Sequence, residues 1–385
     1  MQKLTYTVSF NTPAFLGNAD QAGQWRTPPF KALLRQWWRV VKARDFNYNH
    51  QRIREAEGVL FGNTWLTDEN KKPLYRKSGF GLRLSSWGDG TLETAQWPGG
   101  QIDSVATTRD GKGSVRADVY LGYGPVLAPS KNENRKSITI RRAIDSIFQR
   151  DAKPVELQLL PSTNQKLRPS LGDIEDVKNA MQLAAWFGSV GSRSRNGWGS
   201  VQFIPSPELE MTVQPSLEVP LLQAVSREWT ACLELDWAHA IGASEGKPLV
   251  WTTEPFEHWR GTMGRLAHIK IGVRSVVKGI TGPAGTGGIH LLGYPAGGQW
   301  ELPQLNKKQG GEARLPSQLR FKVLRTEKGY VGQVFHVPHR LPDELNSLLT
   351  HDQQRWFRDK QVDVWRAVHN ELSQDVRLTR LGATR

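Results

Sequence analysis

The segment from residue 27 to residue 42 carries the strongest helical pattern in this 385-residue chain. Thr27 is a predicted N-cap, and Pro28 suits the first helical position, where its missing N–H costs nothing. One helical face collects the apolar residues Phe30, Leu33, Leu34, Trp37, Trp38 and Val41. A different face collects the basic residues Lys31, Arg35, Arg39 and Lys42. The pattern predicts a helix that buries an aromatic stripe and displays a cationic one.

Strand patterns surround this helix in an order that limits the topology. Residues 4–10 alternate apolar and polar, and 79–87, 137–141 and 155–160 are also strand-like. A second helix is predicted over 173–187, with Asp173 as N-cap and Asp176 at N3, before a strand at 198–204. This order is typical of a βαββαβ ferredoxin-like unit with an antiparallel sheet, interrupted by a long insertion near 88–116.

The second half of the chain predicts another such unit. Ala231, Leu233 and Leu235 alternate with polar residues as in a strand, and a basic helical stretch covers 258–278. A hairpin is predicted over 318–325 and 330–337, and a long helix over 342–372. We therefore expect an α+β fold of two tandem ferredoxin-like (RRM-like) domains at 1–204 and 227–385, joined by a linker at 205–226.

An excess of basic residues indicates a polyanionic partner. The chain has 51 Lys and Arg against 37 Asp and Glu, a formal net charge of +14, which attracts nucleic acid. The alternative is a solvated charge surplus without a partner. A lone cysteine, Cys232, excludes internal disulfides and multi-cysteine metal sites. No apolar run approaches the ~18 residues of a membrane helix, and the first residues lack a secretory signal, so a cytoplasmic location is expected.

Residues 188–199 form the most specific local motif, with the sequence Gly-Ser-Val-Gly-Ser-Arg-Ser-Arg-Asn-Gly-Trp-Gly. Glycines permit positive φ and close backbone approach, and exposed amides beside Arg193 and Arg195 predict a concave anion site. The alternative is a helix C-cap followed by a tight turn. No G-x-x-x-x-G-K-[ST] or G-x-G-x-x-G motif is present, which argues against a P-loop NTPase or a dinucleotide enzyme.

The sequence gives little support to hydrolytic chemistry. None of the nine histidines lies between residues 51 and 238, and no G-x-S-x-G elbow occurs. His336 and His339 are better explained as the end of a strand than as a metal pair. Asp20 stands alone in a loop before the basic helix, where capping a turn is its simplest role. No metal or cofactor is expected.

Three segments together resemble the RAMP superfamily of CRISPR-associated proteins. Residues 12–20 followed by 26–39, with a Leu-Arg-x-Trp-Trp-Arg core at 34–39, are similar to the opening of the first RAMP subunit of the Cmr (type III-B) effector. Residues 188–199 resemble the glycine-rich loop of that family, and 315–323 a weaker family segment. The resemblance implies two RAMP domains of ferredoxin-like fold.

The resemblance also implies a function without catalysis. It implies a subunit at one end of a multi-subunit ribonucleoprotein, in contact with other Cas subunits, the 3′ region of the guide RNA and the paired target RNA. Target cleavage in that complex belongs to a neighbouring subunit that uses an aspartate. Two alternatives stay open: a metal-dependent endoribonuclease that uses Asp20, and a capping subunit that contacts protein but no RNA.

Electrostatic attraction to phosphates and the resemblance together assign a set of residues to RNA contact. In the first half of the chain these are Arg26, Lys31, Arg35, Arg39, Gly188, Gly191, Arg193, Arg195, Asn196, Gly197 and Gly199. In the second half they are Arg265, Lys270 and Arg274, on the basic stretch that also fits a solvated helix face.

Overall fold

Alternating and helical patterns along the chain produce a mixed α+β protein with several antiparallel sheets. The structure, a computed structural model, describes residues 3–20, 23–67, 70–90, 102, 104–107, 114–130, 139–140, 143, 154–294, 302, 305 and 314–383. Most of the insertion predicted near 88–116 lies outside these residues. Within the described part of the chain, no helix combines the length and apolarity needed to cross a membrane.

The chain divides into two units, and neither is continuous in sequence. The first comprises Met1–Gln101, Leu121–Val225 and Lys322–Tyr330, and the second comprises Ile102–Tyr120, Ser226–Phe321 and Val331–Arg385. The boundaries at 204 and 227, and the linker between them, stay a prediction.

The elements up to residue 205 are β1 (Leu4–Phe10), α1 (Thr27–Lys42), α2 (His50–Phe61), β2 (Phe80–Leu84), β3 (Ser104–Thr107), β4 (Ser114–Arg116), α3 (Ala117–Gly122), β5 (Val126–Leu127), β6 (Thr139–Ile140), β7 (Val155–Pro161), α4 (Leu171–Phe187) and β8 (Val201–Pro205). Four of these strands form one sheet in the order β2-β7-β1-β8. All neighbours in it are antiparallel: Leu4 lies opposite Leu159, and Phe10 lies opposite Val201. With α1 after β1 and α4 after β7, the order is βαββαβ.

Apolar stripes hold the two long helices of the first unit together. Phe30, Leu33, Leu34, Trp37 and Trp38 of α1 are buried as predicted. The ring of Trp37 lies 5.6 Å from that of Phe187 on α4. At the C-terminal end of the stripe the prediction is wrong by one position, because Val40 is buried and Val41 is only half-buried.

Both predicted helix starts are corrected by the backbone. Thr27 lies inside α1, and Arg26 occupies the N-cap position without a side-chain cap. Helix α4 begins before Asp173, because Ser170 and Asp173 form a capping box. The Ser170 hydroxyl accepts from the Asp173 N–H at 3.1 Å, and the Asp173 carboxylate accepts from the Ser170 N–H at 2.8 Å. Asp173 is therefore the N3 acid, not the cap.

The elements from residue 220 onward are α5 (Pro220–Ala224), β9 (Ser226–Glu228), α6 (Trp229–Cys232), β10 (Ile241–Ser244), β11 (Lys247–Pro248), β12 (Val250–Phe256), α7 (Trp259–Lys278), β13 (Leu319–Thr326), β14 (Gly329–His336), α8 (Asp343–Asn346), α9 (His351–Gln374) and β15 (Leu378–Arg380). A second four-stranded sheet has the order β13-β14-β12-β15. With α7 after β12 and α9 after β14, its elements again follow the order βαββαβ.

Two predictions in this half are wrong. The segment predicted as a strand at 231–235 belongs to α6 and a following turn. Trp229, Cys232 and Leu233 are buried at helical spacing, and this outweighs a short alternation. The helix predicted over 342–372 is two helices, because Thr350 caps a new start with a capping box to Gln353.

A pair of buried histidines lies in the core of the second unit. The Nε2 atom of His369 and the Nδ1 atom of His336 are 3.0 Å apart, and the ring of His336 lies 4.0 Å from that of Trp365. Burial lowers the pKa of His336 well below its usual range, and the charges of His369, His339 and Arg320 lower it further. Burial also lowers the pKa of His369 to about 3, with Arg380 as a second cause. Both rings are therefore neutral in the folded protein near neutral pH.

This histidine pair predicts that the protein loses stability between pH 7 and pH 5. Each folded pKa lies below the unfolded value of about 6.5, so the unfolded chain binds more protons as the pH falls. The stabilisation is complete above pH 6.5 and decreases toward the folded pKa. For His369 alone this difference is worth about 2 kcal/mol of unfolding free energy over this range, and His336 acts in the same direction. Urea denaturation at both pH values measures it, and His351→Gln, at an exposed histidine of α9, should show the same loss. A wild-type protein with equal stability at both pH values would contradict a neutral pair.

Candidate nucleic-acid interface

One buried carboxylate organises the cationic stripe of α1. Glu57 of α2 pairs with Arg35, and it also accepts from Arg39 Nε at 2.7 Å and from Arg39 Nη2 at 3.1 Å. The Glu57 side chain is only 3% exposed, whereas those of Arg35 and Arg39 are partly exposed. The two guanidinium groups are therefore held in fixed positions and share a single negative charge.

An open groove runs along this part of α1. Its described lining residues are Thr27, Pro28, Lys31, Ala32, Arg35 and Arg39 of α1 and Phe80, Gly81 and Leu82 of β2. The groove has three cationic side chains, those of Lys31, Arg35 and Arg39, and the carboxylate of Glu57 offsets one of them, so its net charge is +2. Among the described residues, Lys31 has no ion-pair or hydrogen-bond partner, and burial, with the charge of Arg35 as second cause, lowers the pKa of its ammonium group. Such a groove attracts an anion more strongly than an exposed lysine would.

The basic residues at the two ends of α1 are not simply displayed to solvent, although the sequence pattern predicts that they are. Lys42 pairs with Asp45 at 2.6 Å and with Asp176 of α4 at 2.9 Å. Burial opposes its charge, but the hydrogen bonds to these two carboxylates outweigh burial and raise the pKa of Lys42. At the other end, the Nε atom of Arg26 is buried and no described residue hydrogen-bonds to it. Lys42 thus links α1 to α4, while Lys31 and Arg26 have N–H groups with no hydrogen-bond partner among the described residues.

The glycines of the loop at 188–199 are required by close backbone packing. Gly191 has φ +89°, and a Cβ there would lie 2.6 Å from the Phe15 carbonyl oxygen; Gly199 has φ +61°, and its Cβ would lie 2.0 Å from the Val190 carbonyl oxygen. A Cβ on Gly188 would lie 2.3 Å from the Ala184 carbonyl oxygen. Gly197 also has positive φ. These contacts explain Gly188, Gly191 and Gly199 through close packing on the backbone of α4, of residue 15 and of the loop itself, without any ligand.

Two polar side chains of this loop are used inside the first unit. Arg193 has φ +59°, and its Nε donates to the Tyr123 carbonyl oxygen at 2.6 Å. Asn196 Nδ2 donates to the Leu121 carbonyl oxygen at 2.8 Å. Both residues therefore tie the loop to the C-terminal end of α3 and the residue that follows it.

Arg195 is the loop side chain best placed for an anion. Burial lowers the pKa of its guanidinium to about 10, so it stays charged at neutral pH. In the described part of the chain nothing pairs with it or hydrogen-bonds to it. A half-buried, uncompensated guanidinium gains strongly from an anionic partner. No described residue of the loop lines the groove on α1, so these are two separate features of the first unit.

A fully buried lysine supports the start of the loop. Lys322 Nζ donates to the carbonyl oxygens of Ala185 at 2.6 Å, Val201 at 2.9 Å and Ala184 at 3.2 Å. Burial lowers the pKa of Lys322 well below its usual range. The three acceptors use all three of its protons, and two of them lie at the negative C-terminal end of α4, where a cation is favoured.

The basic residues of α7 in the second unit are largely committed to protein contacts. Arg265 Nη2 lies 2.5 Å from both carboxylate oxygens of Asp375. Lys270 Nζ lies 5.6 Å from the ring centre of Tyr120. Burial raises the pKa of Tyr120, and the nearby Arg274 opposes this rise. Lys270 thus contacts Tyr120, and Arg274 lies close enough to influence its charge, so the solvated alternative fits α7 as well as the RNA track does.

The described residues near Asp20 show a turn. Its backbone N–H donates to Asn18 Oδ1 at 2.9 Å, and its side chain is exposed. Among the described residues, no group of three or more His, Cys, Asp or Glu side chains is arranged to hold a metal ion.

Two important residues, Glu57 and Lys322, were missed by the sequence reasoning, although a signal was present. Ile53, Glu57, Leu60 and Phe61 are all buried at the spacing of one helical face. A carboxylate in such a position needs a cationic partner. Lys322 interrupts an apolar strand in the same way, between Phe321 and Val323.

The fold and the groove define an α+β chain with two βαββαβ element orders and a basic surface on the first helix. Over nearly its whole length it is similar to the crystal structure of apo Cmr1 from Pyrococcus furiosus. The identity is 14%, the coverage is 94% of this chain and 97% of that one, and the TM-score is 0.46. No family model and no curated protein matches the sequence.

Two further solved structures are similar to the chain. One belongs to the Type III-B Cmr-beta complex bound to cognate target RNA and AMPPnP in the presence of ssDNA, with 10% identity, coverage of 96% of this chain and 98% of that one, and a TM-score of 0.48. The other belongs to Cmr-beta bound to cognate target RNA, with 10% identity, coverage of 96% and 100%, and a TM-score of 0.44.

Replacing the buried lysine should destabilise the first unit. Lys322→Met removes the hydrogen bonds from Lys322 to three buried carbonyl oxygens, of which Ala184 keeps a second donor in the Gly188 N–H, at a cost of about 3 kcal/mol in unfolding free energy. Urea denaturation followed by tryptophan fluorescence measures this loss. Lys328→Met changes an exposed lysine of the same β13–β14 hairpin and should alter stability by less than about 0.5 kcal/mol. Equal stability of the two variants would contradict the role of Lys322.

Neutralising the buried carboxylate of Glu57 should lower the stability of the protein and, at the same time, raise the positive charge of the groove. Glu57→Gln keeps the shape of the side chain but leaves the two arginines without a counter-ion, which should cost about 2–4 kcal/mol. At the same time the groove gains one positive charge, so the folded variant should bind polyanions more tightly at low salt. Retention on heparin measures the second effect. A variant that elutes earlier than wild type while still folded would contradict the charge balance of the groove.

Proposed function

We propose that this chain is a non-catalytic RNA-binding subunit of a type III-B (Cmr) CRISPR ribonucleoprotein effector that acts in antiviral defence. In this proposal it lies at one end of the complex. It contacts the 3′ region of the guide RNA and the guide–target duplex, and other Cas subunits are its protein partners. The tandem ferredoxin-like RAMP arrangement belongs to the same proposal.

The observation that carries the proposal is the basic groove on α1. Its cations come from the same segment that holds the Leu-Arg-x-Trp-Trp-Arg core at 34–39. Trp37 and Trp38 fix this helix in the core, while Lys31, Arg35 and Arg39 line the open side. A phosphate strand suits a groove whose charges are held in place before binding, because little side-chain entropy is then lost.

Recognition of the RNA backbone, and not of its bases, fits these contacts. Guanidinium and ammonium groups contact phosphates irrespective of sequence, and Arg195 offers a second phosphate contact in the same unit. Sequence would then be read by guide–target pairing, and the protein would contribute affinity that depends on salt.

The absence of catalysis is part of the proposal. Asp20 is exposed, and its described hydrogen bond is that of a turn. We propose that it shapes the loop and does not cut RNA. Incubation of the purified protein with labelled RNA and Mg²⁺, beside Asp20→Ala, tests this point; cleavage that disappears with Asp20 would overturn it.

Removing one unpaired cation should weaken RNA binding without changing sequence preference. For Lys31→Ala and for Arg195→Ala we expect lower affinity for single-stranded RNA. Each should also reduce the magnitude of the salt slope by about 0.7, as for one lost phosphate contact. Fluorescence anisotropy across a salt series measures both quantities. Arg355→Ala, at an exposed arginine of α9 that pairs loosely with Asp352, is the control. Wild-type affinity and slope in both test variants would count against the proposed interface.

A further inference from the structure

Residues 63–67 and 70–76, here named the aromatic hairpin, expose a group of large apolar side chains in the first unit. Tyr75 is 71% exposed, Leu74 50% and Trp65 39%. Val59 on the neighbouring helix α2 is also exposed. Single exposed apolar residues are normal on a protein surface. Several exposed aromatic and aliphatic side chains on one short segment are not, and they indicate a binding surface.

The described residues hold this hairpin in a defined conformation. Asn63 and Arg76 exchange backbone hydrogen bonds of 2.9 and 3.1 Å, and the Leu74 N–H donates to the Leu66 carbonyl oxygen at 2.7 Å. Asn63 is buried, and its side chain donates to the Gly58 carbonyl oxygen at 3.3 Å. The strands of the hairpin are thus anchored to α2, and its aromatic side chains are presented on a fixed support.

Positive charge surrounds the exposed rings. The guanidinium of Arg54 lies 3.9 Å from the ring centre of Trp65, a cation–π contact that orients the indole. Lys71, Lys72 and Lys77 are exposed on or beside the hairpin. Across 50–78 the sequence has six Lys and Arg against four Asp and Glu; Glu57 is buried against α1, and Asp68 and Glu69 come just before Lys71 in the sequence. The segment therefore combines exposed π faces with basic side chains and a net positive charge.

We propose that the aromatic hairpin is a base-stacking site for single-stranded RNA. Trp65 and Tyr75 stack on unpaired bases, and the lysines and Arg54 contact the adjoining phosphates. Aromatic stacking beside basic side chains is how proteins bind single strands without reading their sequence. A purely apolar protein partner would not require the positive charge. This site goes beyond the groove on α1, because it recognises the bases of a strand and not only its phosphates.

Two RNA ligands separate this site from the groove. The first is a labelled oligouridine, and the second is an abasic ribose-phosphate oligomer of equal length, which retains the phosphates and lacks the bases. The variants are Trp65→Ala/Tyr75→Ala and the conservative Trp65→Phe. Leu171→Ala, at an exposed leucine that starts α4, serves as the matched control.

For Trp65→Ala/Tyr75→Ala we expect oligouridine affinity to fall at least about 25-fold, because each of the two lost stacks accounts for roughly 5- to 150-fold. Affinity for the abasic oligomer should stay at the wild-type value. Trp65→Phe and Leu171→Ala should bind both ligands like wild type, and unchanged thermal unfolding of all variants checks the fold.

Three outcomes would overturn the stacking site. Wild-type oligouridine binding by the double variant is the first, and equal weakening for both ligands is the second. The third is loss of assembly with partner subunits while RNA binding is kept, because the hairpin would then be a protein interface. Binding that is lost in Lys31→Ala but kept in the aromatic variant rejects this inference alone, whereas a wild-type protein that binds neither ligand rejects the proposed function as well.

Discussion

The shared ion pair of Glu57 with Arg35 and Arg39 is the interaction on which the first unit's surface depends. Placing one carboxylate in the core costs desolvation energy, and this cost is offset only when the charge is fully hydrogen-bonded. Arg35 and Arg39, on successive turns of α1, supply those hydrogen bonds. The same contact joins α1 to α2 and fixes the guanidinium groups at the rim of the groove. Stability and surface charge are therefore set by one residue.

The glycine-rich loop shows how a binding motif can have a structural explanation. Three of its glycines lie where a Cβ would collide with a backbone oxygen of α4, of residue 15 or of the loop itself. Arg193 and Asn196 are bound to nearby carbonyl groups. What packing leaves unexplained is Arg195. A half-buried guanidinium that no described residue pairs with is costly for the folded chain, and a bound anion would recover that cost. The loop thus combines a rigid support with one side chain suited to binding.

Long periodic patterns were predictable from the sequence, whereas short ones and buried charges were not. The stripe of α1, the strand at 4–10 and the hairpin around residue 328 extend over enough residues for the periodicity to decide the element. Five alternating residues at 231–235 were too few, and the helical spacing of Trp229, Cys232 and Leu233 determined the local fold. The predicted start of α4 is wrong because it places Asp173 at the N-cap. Asp173 is the N3 residue of a capping box with Ser170. Glu57 and Lys322 each interrupt an apolar pattern, which signals a buried charge, but their partners lie on other elements and are identified only by three-dimensional contacts.

Helix α2 connects the two surfaces of the first unit that are suited to RNA. Glu57 contacts the cationic stripe of α1, and Arg54, one turn earlier, stacks on Trp65 of the aromatic hairpin. The hairpin then leads directly into β2, whose residues 80–82 line the groove. If an RNA strand binds both surfaces, as proposed, it meets phosphate contacts at the groove and stacking contacts at the aromatic hairpin. Because affinity from two linked contacts exceeds that of either alone, modest binding at each would suffice for a stable complex. This arrangement needs no base-specific hydrogen bond, in keeping with the proposed function, in which sequence is read by guide–target pairing.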